Sequence, residues 1–390
     1  MDKLNEIKLR LSTLTVFREL LCDPVIKSLI EYLSEPTVWG YSDFVSRLYT
    51  ANGGNLGEYI KYLCENSTNI YVKIIGKGFE VSEHLKEAVD KELEVLEAIS
   101  QLSGEVLRQP LKYDGFLPRF ISGGISIAES YKERVLSIGK YGYGIYADNR
   151  MFYIEDDGSI IPVRNPDRIR LSDLVDYKSE RQVIIDNTKA LLSGKPAANI
   201  LLTGDAGTGK SSTVKAVANE MFGDGLRIIE VRKDQLRVIP KVLDELSENP
   251  LKFILFIDDL SFLKDDDNFN ALKAVLEGSV TAKSNNVVIY ATSNRRHIIK
   301  EKFSDREGDD VHRNDTMQEL VSLSERFGIH ITFSKPSKDT FLHIVSHLAN
   351  EHGINIPRDE LELLAERFAL ERGGRSARLA RQFIDGLLSK

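Results

Sequence analysis

The sequence predicts an α/β fold over the second half of the chain, and three observations carry that prediction. From about Leu171 onward, short apolar runs alternate with helical patterns, which is typical of a parallel sheet covered by helices on both faces. A glycine-rich loop joins the first run to a helix, and residues 336–390 show helical patterns alone. The predicted strands are Asn199–Thr203, Leu226–Val231, Phe253–Ile257, Val287–Thr292 and Ile329–Phe333.

The region before this sheet is predicted to be mainly helical. Apolar residues recur every three or four positions from Leu4 to Leu14, which places them on one face of a helix. Ser82 is a suitable N-cap for a second amphipathic helix. Alternating residues over 143–163 predict a small β-hairpin. The single tryptophan, Trp39, is expected in the core with its aromatic neighbours.

These changes of pattern predict three domains. Residues 1–168 would form a mainly helical partner-recognition domain that carries the β-hairpin. Residues 169–335 would form the α/β core, and residues 336–390 a helical lid subdomain. Pro162 and Pro166 bracket the linker expected between the first two domains.

Composition places the chain among ordinary globular proteins. Of 390 residues, 42% are hydrophobic and 28% charged, which excludes a disordered, collagen-like or low-complexity chain. The formal charge is −7, from 52 basic and 59 acidic residues. Proteins that depend on electrostatic binding to nucleic acid are normally basic, so this class is disfavoured. Residues 1–168 hold 20 basic and 25 acidic side chains and the remainder 32 and 34, so neither part is a hidden basic domain.

The cysteines and the amino terminus bear on the compartment. Cys22 and Cys64 show neither metal-ligand nor CxxC spacing, so a disulfide scaffold is excluded and a reducing compartment is expected. Charged residues interrupt the first ten positions, which excludes a signal-peptide core there. No apolar run approaches the ~20 residues that span a bilayer. We therefore expect a cytoplasmic protein without a membrane partner.

The strongest motif is a complete phosphate loop, G-x-x-x-x-G-K-[ST]. The nucleotide-binding residues it predicts are Gly204, Asp205, Ala206, Gly207, Thr208, Gly209, Lys210, Ser211 and the adjoining Ser212. Glycines let backbone N–H groups turn inward around phosphate oxygens, and the following helix N-terminus adds partial positive charge. Lys210 is predicted to bridge the β- and γ-phosphates, and Ser211 to place its hydroxyl on Mg²⁺.

The loop alone does not identify the reaction. The N-K-x-D motif with which GTPases read guanine is absent from the sequence, so ATP with Mg²⁺ is the expected ligand. A small-molecule kinase remains an alternative on this motif alone.

Two carboxylates follow the buried strand Phe253–Ile257, at the sheet edge where the phosphate loop also lies. Asp258 is predicted to hold Mg²⁺ through water, and Asp259 to orient or activate the attacking water. The alternative is a solvated acidic loop, because three more aspartates follow at 265–267.

Two later residues are further catalytic candidates. Asn294 follows a predicted strand and could hold the attacking water, with Ser293 as second choice and a simple polar strand cap as the alternative. Arg326 precedes the last strand, where a guanidinium could reach a neighbouring subunit's γ-phosphate. The alternative for Arg326 is a pair with a local carboxylate such as Glu325.

A basic segment opens the last helix. Arg375 follows two glycines and could fold onto the phosphates from the lid side. The arginines recur at every third residue, at Arg372, Arg375, Arg378 and Arg381. A basic stripe that touches nucleic acid or a partner, and a simple solvated helix face, therefore remain alternatives.

Together these motifs resemble the AAA+ ATPases over about Leu171–Lys390. The segments GDAGTGKSS, FIDDLSF, ATSNRRH, LSERFG and GGRSARLARQF are most similar to an uncharacterised bacterial family of AAA+ ATP-binding proteins, a domain of unknown function. The resemblance implies a P-loop NTPase fold, a parallel sheet flanked by helices with a helical lid. It also implies rings or partial rings in which a neighbouring subunit completes each site.

The resemblance assigns roles to the matching positions. These are phosphate and metal binding for Lys210 and Ser211, the metal carboxylate for Asp258, the strand sensor for Asn294, the arginine finger for Arg326 and the lid sensor for Arg375. The stretch around Tyr177 and Glu180 matches the segment that lies near adenine.

Two departures from the family pattern bear on activity. Most hydrolases of the superfamily carry Glu where this chain has Asp259. Replication-initiator-like members also have Asp-Asp and often use slow hydrolysis as a switch. No aromatic–hydrophobic–Gly pore loop follows the second predicted strand, where Val231–Leu236 reads VRKDQL. This weakens a substrate-threading function.

Three functions remain open from the sequence. The leading one is a magnesium-dependent, homo-oligomeric ATPase that acts as a switch or remodels a protein partner bound by the amino-terminal domain. The second is a nucleic-acid-associated, initiator- or loader-like ATPase, which the net charge disfavours. The third is a nucleotide-gated scaffold with negligible turnover.

Overall fold

The computed structural model describes residues 3–260, 267–277, 285–294 and 325–389. By internal contacts the chain divides into two units, Met1–Asp148 and Asn149–Lys390. This division falls twenty residues before the boundary predicted at residue 168, because the segment from residue 149 onward contributes two strands to the sheet of the second unit.

The first unit is mainly helical, as the sequence predicts. Its α-helices are α1 (Lys3–Ser12), α2 (Pro24–Ser34), α3 (Val38–Asn52), α4 (Leu56–Glu65), α5 (Ile70–Gly76), α6 (Glu83–Ser100), α7 (Gly104–Arg108), α8 (Ile127–Leu136) and α9 (Ile138–Tyr141), with short 3₁₀ turns at Arg18–Cys22 and Gly144–Tyr146. The Ser82 side chain accepts a hydrogen bond from the backbone N–H of Leu85, which is the N-cap expected for α6.

One helix of this unit corrects the prediction for Trp39. Tyr41 and Phe44 on α3 are fully buried, but Trp39 is 78% exposed. Residues two positions apart on a helix lie on nearly opposite faces, so burial of Tyr41 turns Trp39 outward. The expectation that Trp39 belongs to the core is therefore wrong.

The second unit is built on one mixed, mostly parallel sheet. Its strands are β1 (Met151–Ile154), β2 (Ile160–Pro162), β3 (Ile200–Gly204), β4 (Leu226–Glu230), β5 (Lys252–Ile257), β6 (Val287–Ser293) and β7 (Ile329–Phe333). The seven strands lie in the order β2-β1-β4-β5-β6-β3-β7, and only β1 and β2 pair antiparallel. The α/β fold class predicted from the sequence is confirmed.

The predicted hairpin forms, but it belongs to this sheet. β1 and β2 pair as expected, with Ile154 opposite Ile160. β1 also pairs in parallel with β4, so the hairpin extends the edge of the sheet. Alternation along the sequence identifies a hairpin but carries no information about which strand its free edge will pair with.

Helices flank and follow the sheet. They are α10 (Lys178–Leu192), α11 (Lys210–Glu220), α12 (Ile239–Ser247), α13 (Asp267–Glu277), α14 (Lys338–Glu351), α15 (Arg358–Glu371) and α16 (Ala377–Leu388), with 3₁₀ turns at Leu171–Asp173, Phe222–Asp224 and Lys233–Val238. The last three pack around a core of their own, which includes Phe341 and Ile384. The helices that the sequence predicts for residues 336–390 are therefore present, and we keep the name lid for them. In the described parts of the chain, no helix is both long and apolar enough to cross a membrane.

The strand order brings three polar strand ends together. β6 lies between β3 and β5 and runs parallel to both. The phosphate loop after β3, the two aspartates after β5 and the polar end of β6 therefore emerge at one edge of the sheet.

Candidate functional site

A cleft of about 770 Å³ opens at this edge of the sheet. The phosphate loop, the aspartates after β5 and the end of β6 form its floor, and the segment 167–177 and helices α14 and α16 contribute further residues. The cleft therefore gathers most of the residues that the sequence predicts as a nucleotide site.

The phosphate loop needs glycine at its first position. Gly204 has φ of +138°, and a Cβ atom there would lie 2.0 Å from the backbone oxygen of Phe333 on β7. Any side chain would collide with the neighbouring strand, so the loop can leave β3 at this angle only from glycine. Gly209, with φ of +93°, is the N-cap residue that precedes α11.

Lys210 is buried, with 5% of its surface exposed. Its ammonium group donates to the backbone oxygens of Gly204 (2.9 Å) and Asp205 (2.8 Å) and to Asn294 Oδ1 (3.0 Å). An ammonium has three hydrogens, so these three bonds use its full donor capacity. Burial lowers the pKa of Lys210, whereas the nearby carboxylates, Asp205 foremost, oppose that shift.

Asn294 connects the lysine to the predicted catalytic carboxylate. While its Oδ1 accepts from Lys210, its Nδ2 donates to Asp259 Oδ1 at 2.8 Å. Lys210, Asn294 and Asp259 thus form a continuous chain of hydrogen bonds from the phosphate loop to the end of β5. The structure brings together these three residues from three different segments.

Asp258 meets the predicted metal hydroxyl directly. Ser211 Oγ donates to Asp258 Oδ1 at 2.6 Å. A hydroxyl and a carboxylate are oxygen ligands of the kind that Mg²⁺ takes, and Mg²⁺ at nucleotide sites needs only one or two protein ligands besides waters and phosphates. The two residues therefore fit a magnesium ion. Among the described residues no cluster of three or more His, Cys, Asp or Glu is found that could hold a metal ion.

Thr292 is a site residue that the sequence reasoning missed. It lies on β6, is 2% exposed, and contacts both Asp258 and Asp259. The signal available was strand register: Ile257 on β5 pairs with Ala291 on β6, so the next residues, Asp258 and Thr292, are neighbours. The sequence pattern instead predicted the polar residues that follow, Asn294 and, as second choice, Ser293.

The lid presents a different arginine from the one predicted. Arg375 forms two hydrogen bonds with Glu366, at 2.7 and 2.6 Å, and is not among the described residues that line the cleft. Arg378 and Arg381 do line it. The backbone N–H of Arg378 also donates to the oxygen of Gly207 in the phosphate loop, at 3.2 Å.

Arg326 is not among the described residues that line the cleft. Its guanidinium pairs with Glu277 at the end of α13, with Nε 2.9 Å from Oε1, and not with the neighbouring Glu325 suggested by the sequence. The residues just before Glu325 lie outside the described part of the chain, as do Asp265 and Asp266. Its assignment as an arginine finger stays a prediction.

The segment before α10 also lines the cleft. Asp176 and Tyr177 both have left-handed backbone, with φ of 60° and 54°. The buried guanidinium of Arg181 donates to the backbone oxygens of Leu174 and Asp176 and so holds this turn. Tyr177, Ile344 and Leu348 line the cleft, which gives it partly apolar walls suited to a nucleobase. Glu180, the other residue matched to this segment, lies on the first turn of α10.

Comparison with protein families decides the relationship of the chain. A family model described as "Protein of unknown function (DUF815)" matches residues 147–390. The chain belongs to this family. The matched span contains all seven strands of the sheet, the cleft and the lid, so this DUF815 region coincides with the second unit of the structure. The prediction that the chain belongs to an uncharacterised family is confirmed.

Similar solved structures include the RuvB Holliday junction branch migration motor of Thermotoga maritima. It is 15% identical, covers 57% of this chain and 64% of its own, and has a TM-score of 0.39. Two variants of the same protein give 15% and 16% identity with equal TM-scores. The match thus spans less than two thirds of those chains. No functionally curated protein matches the sequence.

Proposed function

We propose that this DUF815 protein binds ATP with Mg²⁺ and hydrolyses it, as a homo-oligomeric AAA+ switch or remodelling ATPase that acts on a protein partner. One observation carries the proposal. Lys210, Ser211, Asp258, Asp259 and Asn294 come from three segments and form connected hydrogen bonds in one cleft.

Phosphate binding falls to the loop and its lysine. The backbone of the loop and the first turn of α11 face the cleft, where N–H groups and the helix dipole favour an anion. Lys210 would exchange its bond to Asn294 for one to phosphate. Ser211 and Asp258 would hold Mg²⁺, which when bound offsets the negative charge of the phosphates.

Hydrolysis would use Asp259 and Asn294. Asp259 is exposed to the cleft and would orient the attacking water, and Asn294 lies beside it and within reach of Lys210. When a γ-phosphate takes over Lys210, the amide of Asn294 would be released toward the phosphate and the water. An aspartate at this position is one methylene shorter than glutamate, which supports slow, switch-like turnover.

The lid would contribute Arg378 in preference to Arg375. Arg378 lines the cleft and its backbone is bonded to Gly207, whereas Arg375 is committed to Glu366. Closure of the lid on the phosphates would therefore move Arg378 and the phosphate loop together.

The nucleic-acid alternative loses one of the two features that favoured it, the arginine stripe, and keeps the other, the Asp258-Asp259 pair. The four arginines do not form one free stripe: Arg372 lies over the ring of Phe368, Arg375 pairs with Glu366, and the other two line the cleft. The threading alternative is disfavoured too, because the segment after β4 is anchored. There Leu236 is fully buried, and Gln235 donates to Ile154 and Asp156 of the hairpin.

The test is phosphate release per chain across a wide range of protein concentrations, with Arg326→Ala beside the natural sequence. We expect specific activity to rise with concentration and then level off, and Arg326→Ala to bind ATP normally but lose hydrolysis. Arg358→Ala is the matched control, because it also removes an arginine that pairs with a glutamate, here Glu362 four residues later on α15. It should behave as the natural chain. Normal hydrolysis by Arg326→Ala would refute sites shared between subunits, and ATP binding without hydrolysis at any concentration would favour the scaffold.

A further inference from the structure

One hydroxyl group contacts both aspartates of the site. Thr292 Oγ1 donates to Asp258 Oδ1 at 2.5 Å and accepts from the backbone N–H of Asp259 at 2.9 Å. The backbone oxygen of Thr292 accepts from the N–H of Leu260 at 2.7 Å. Thr292 therefore forms hydrogen bonds with three consecutive residues after β5, which are Asp258, Asp259 and Leu260.

The backbone of this turn is unusual at its centre. Asp259 has φ of +53°, in the left-handed region that side chains other than glycine rarely adopt. Such a conformation persists where the surroundings determine it, and it concentrates at functional sites. The N–H groups of Asp259 and Leu260, on either side of the strained Cα, are both bonded to Thr292.

The same hydroxyl sets the direction of the Asp258 carboxylate. Asp258 Oδ1 receives two hydroxyl donors, Ser211 from the phosphate loop and Thr292 from β6. When Ser211 turns to a metal, two donors to this oxygen remain: the hydroxyl of Thr292 at 2.5 Å and, at the longer distance of 3.2 Å, the backbone N–H of Asp259, which Thr292 itself holds. Partners of this kind, one step removed from the metal, fix ligand orientation and are worth about 10–100-fold in metal affinity or activity.

We propose that Thr292 is the positioning residue of this site, which holds Asp259 in its left-handed conformation and aims Asp258 at the magnesium position beside Ser211. The proposal rests on the proposed function, because it assumes that Mg²⁺ and ATP occupy the cleft. Thr292 acts through the two aspartates and not on the nucleotide. Strand alternation explains why Ser293, the next residue, cannot replace it, since its side chain points to the other face of the sheet.

The test compares Thr292→Val, which removes the hydroxyl at nearly constant shape, with Thr292→Ser, which keeps it. The full chain is titrated with a non-hydrolysable ATP analogue, once with excess EDTA and once with Mg²⁺. For Thr292→Val we expect affinity in EDTA within about twofold of the natural chain, and a gain from Mg²⁺ that is about tenfold smaller. Thr292→Ser should keep that gain.

Phosphate release supplies a second readout. It should fall at least about tenfold in Thr292→Val and recover in Thr292→Ser. Thermal unfolding of each variant shows whether it is folded, and Thr292→Ala takes over the test if Thr292→Val does not fold. A merely structural hydroxyl would lower the unfolding temperature without changing the gain from Mg²⁺.

The outcomes separate this inference from the proposed function. If Mg²⁺ increases the affinity of Thr292→Val for the analogue as much as it does for the natural chain, the role of Thr292 is refuted and the proposed function is not. Equal losses in the Val and Ser variants would also overturn the role of Thr292, because the methyl packing and not the hydroxyl would then matter. Failure of the natural chain to bind the analogue at all would instead refute the proposed function, and this inference with it.

Discussion

Glu92 in the first unit and Lys210 in the second are two equally buried charges, each 5% exposed, with very different partners. The Glu92 carboxylate accepts from the backbone N–H groups of Thr15, Val16 and Phe17 at 2.8–3.0 Å, and from the Thr15 hydroxyl. Lys210 donates to two oxygens of its own loop and to the side chain of Asn294.

We infer from this difference that the charge of Glu92 serves folding, and it supports the proposal that the charge of Lys210 serves a ligand. The partners of Glu92 are three backbone groups and one hydroxyl more than seventy residues away in sequence, and these bonds fix the turn that follows α1 against α6. Lys210 lies at a roomy cleft, and one of its partners is a side chain that can turn away. A buried charge with exchangeable partners beside a cleft is therefore the better functional candidate.

The largest expected effect is the loss of nucleotide affinity when Lys210, but not Glu92, is replaced. Lys210→Ala should weaken ATP binding at least about 100-fold, because it removes the charge-assisted contact to phosphate, worth about 3 kcal/mol. Lys215→Ala is the control: it lies on the same helix but pairs with Glu230 and is not among the described lining residues. Equilibrium titration of both variants measures the difference. Equal affinities would remove Lys210 from the site.

Replacement of Glu92 by alanine, in contrast to that of Lys210, should mainly lower the stability of the fold. It leaves buried N–H groups without an acceptor, so the free energy of unfolding should fall by about 3 kcal/mol, with ATP affinity per folded chain unchanged. Glu94→Ala removes an exposed pair with Lys91 on the same helix and should cost far less. Urea unfolding followed by circular dichroism tests this. A small loss in Glu92→Ala would mean that its partners are satisfied by water.

Asn294→Ala should break the chain of hydrogen bonds that makes the partners of Lys210 exchangeable. Turnover should fall about tenfold, because Asp259 and the water lose their amide neighbour. ADP affinity should stay constant or rise, since Lys210 loses a competing acceptor. Ser293→Ala, the second choice from the sequence, should keep turnover. Reduced ADP affinity in Asn294→Ala would identify Asn294 as a plain nucleotide ligand.

The lid arginines should differ by a smaller factor. Arg378→Ala is expected to lower ATP affinity about fivefold, the size of one exposed charge-assisted contact. Arg375→Ala should leave affinity within twofold and act on the lid, through Glu366. Parallel titrations compare them. The reverse order would restore Arg375 as the lid sensor.

The smallest expected effect is a pH dependence of stability that comes from the pair of Arg375 and Glu366. The hydrogen bond from Arg375 lowers the pKa of Glu366 below its ordinary value, against the effect of burial. A carboxylate with a lowered folded-state pKa stabilises the fold above its unfolded pKa and loses that contribution as pH falls through the folded value. Below about pH 5, the free energy of unfolding should therefore change less with pH in Glu366→Gln than in the natural chain. Acid unfolding curves of both chains measure this slope. Identical slopes would mean that the pair contributes nothing.

The sequence predicted the parts of the site that are local. The phosphate loop, the aspartates after β5 and the ends of the strands follow from short patterns, and the structure has them within two residues. What it could not predict depends on partners distant in sequence. Arg375 stands after two glycines as a lid sensor should, but Glu366 on the preceding helix binds it.

Thr292 and the hairpin show the same limit in the sheet. Thr292 reads as an ordinary strand residue until the register of β5 and β6 sets it beside Asp258. The hairpin is legible from its alternation, but its place beside β4 depends on a free strand edge that no local pattern describes.

The most direct test of the central claim is a calorimetric titration of the natural chain with ATP and Mg²⁺, repeated with GTP and with ATP in EDTA. The account predicts one ATP bound per chain, weaker binding in EDTA because Ser211 and Asp258 then hold no metal, and weaker binding of GTP. No binding of ATP, or binding that is indifferent to Mg²⁺, would contradict it.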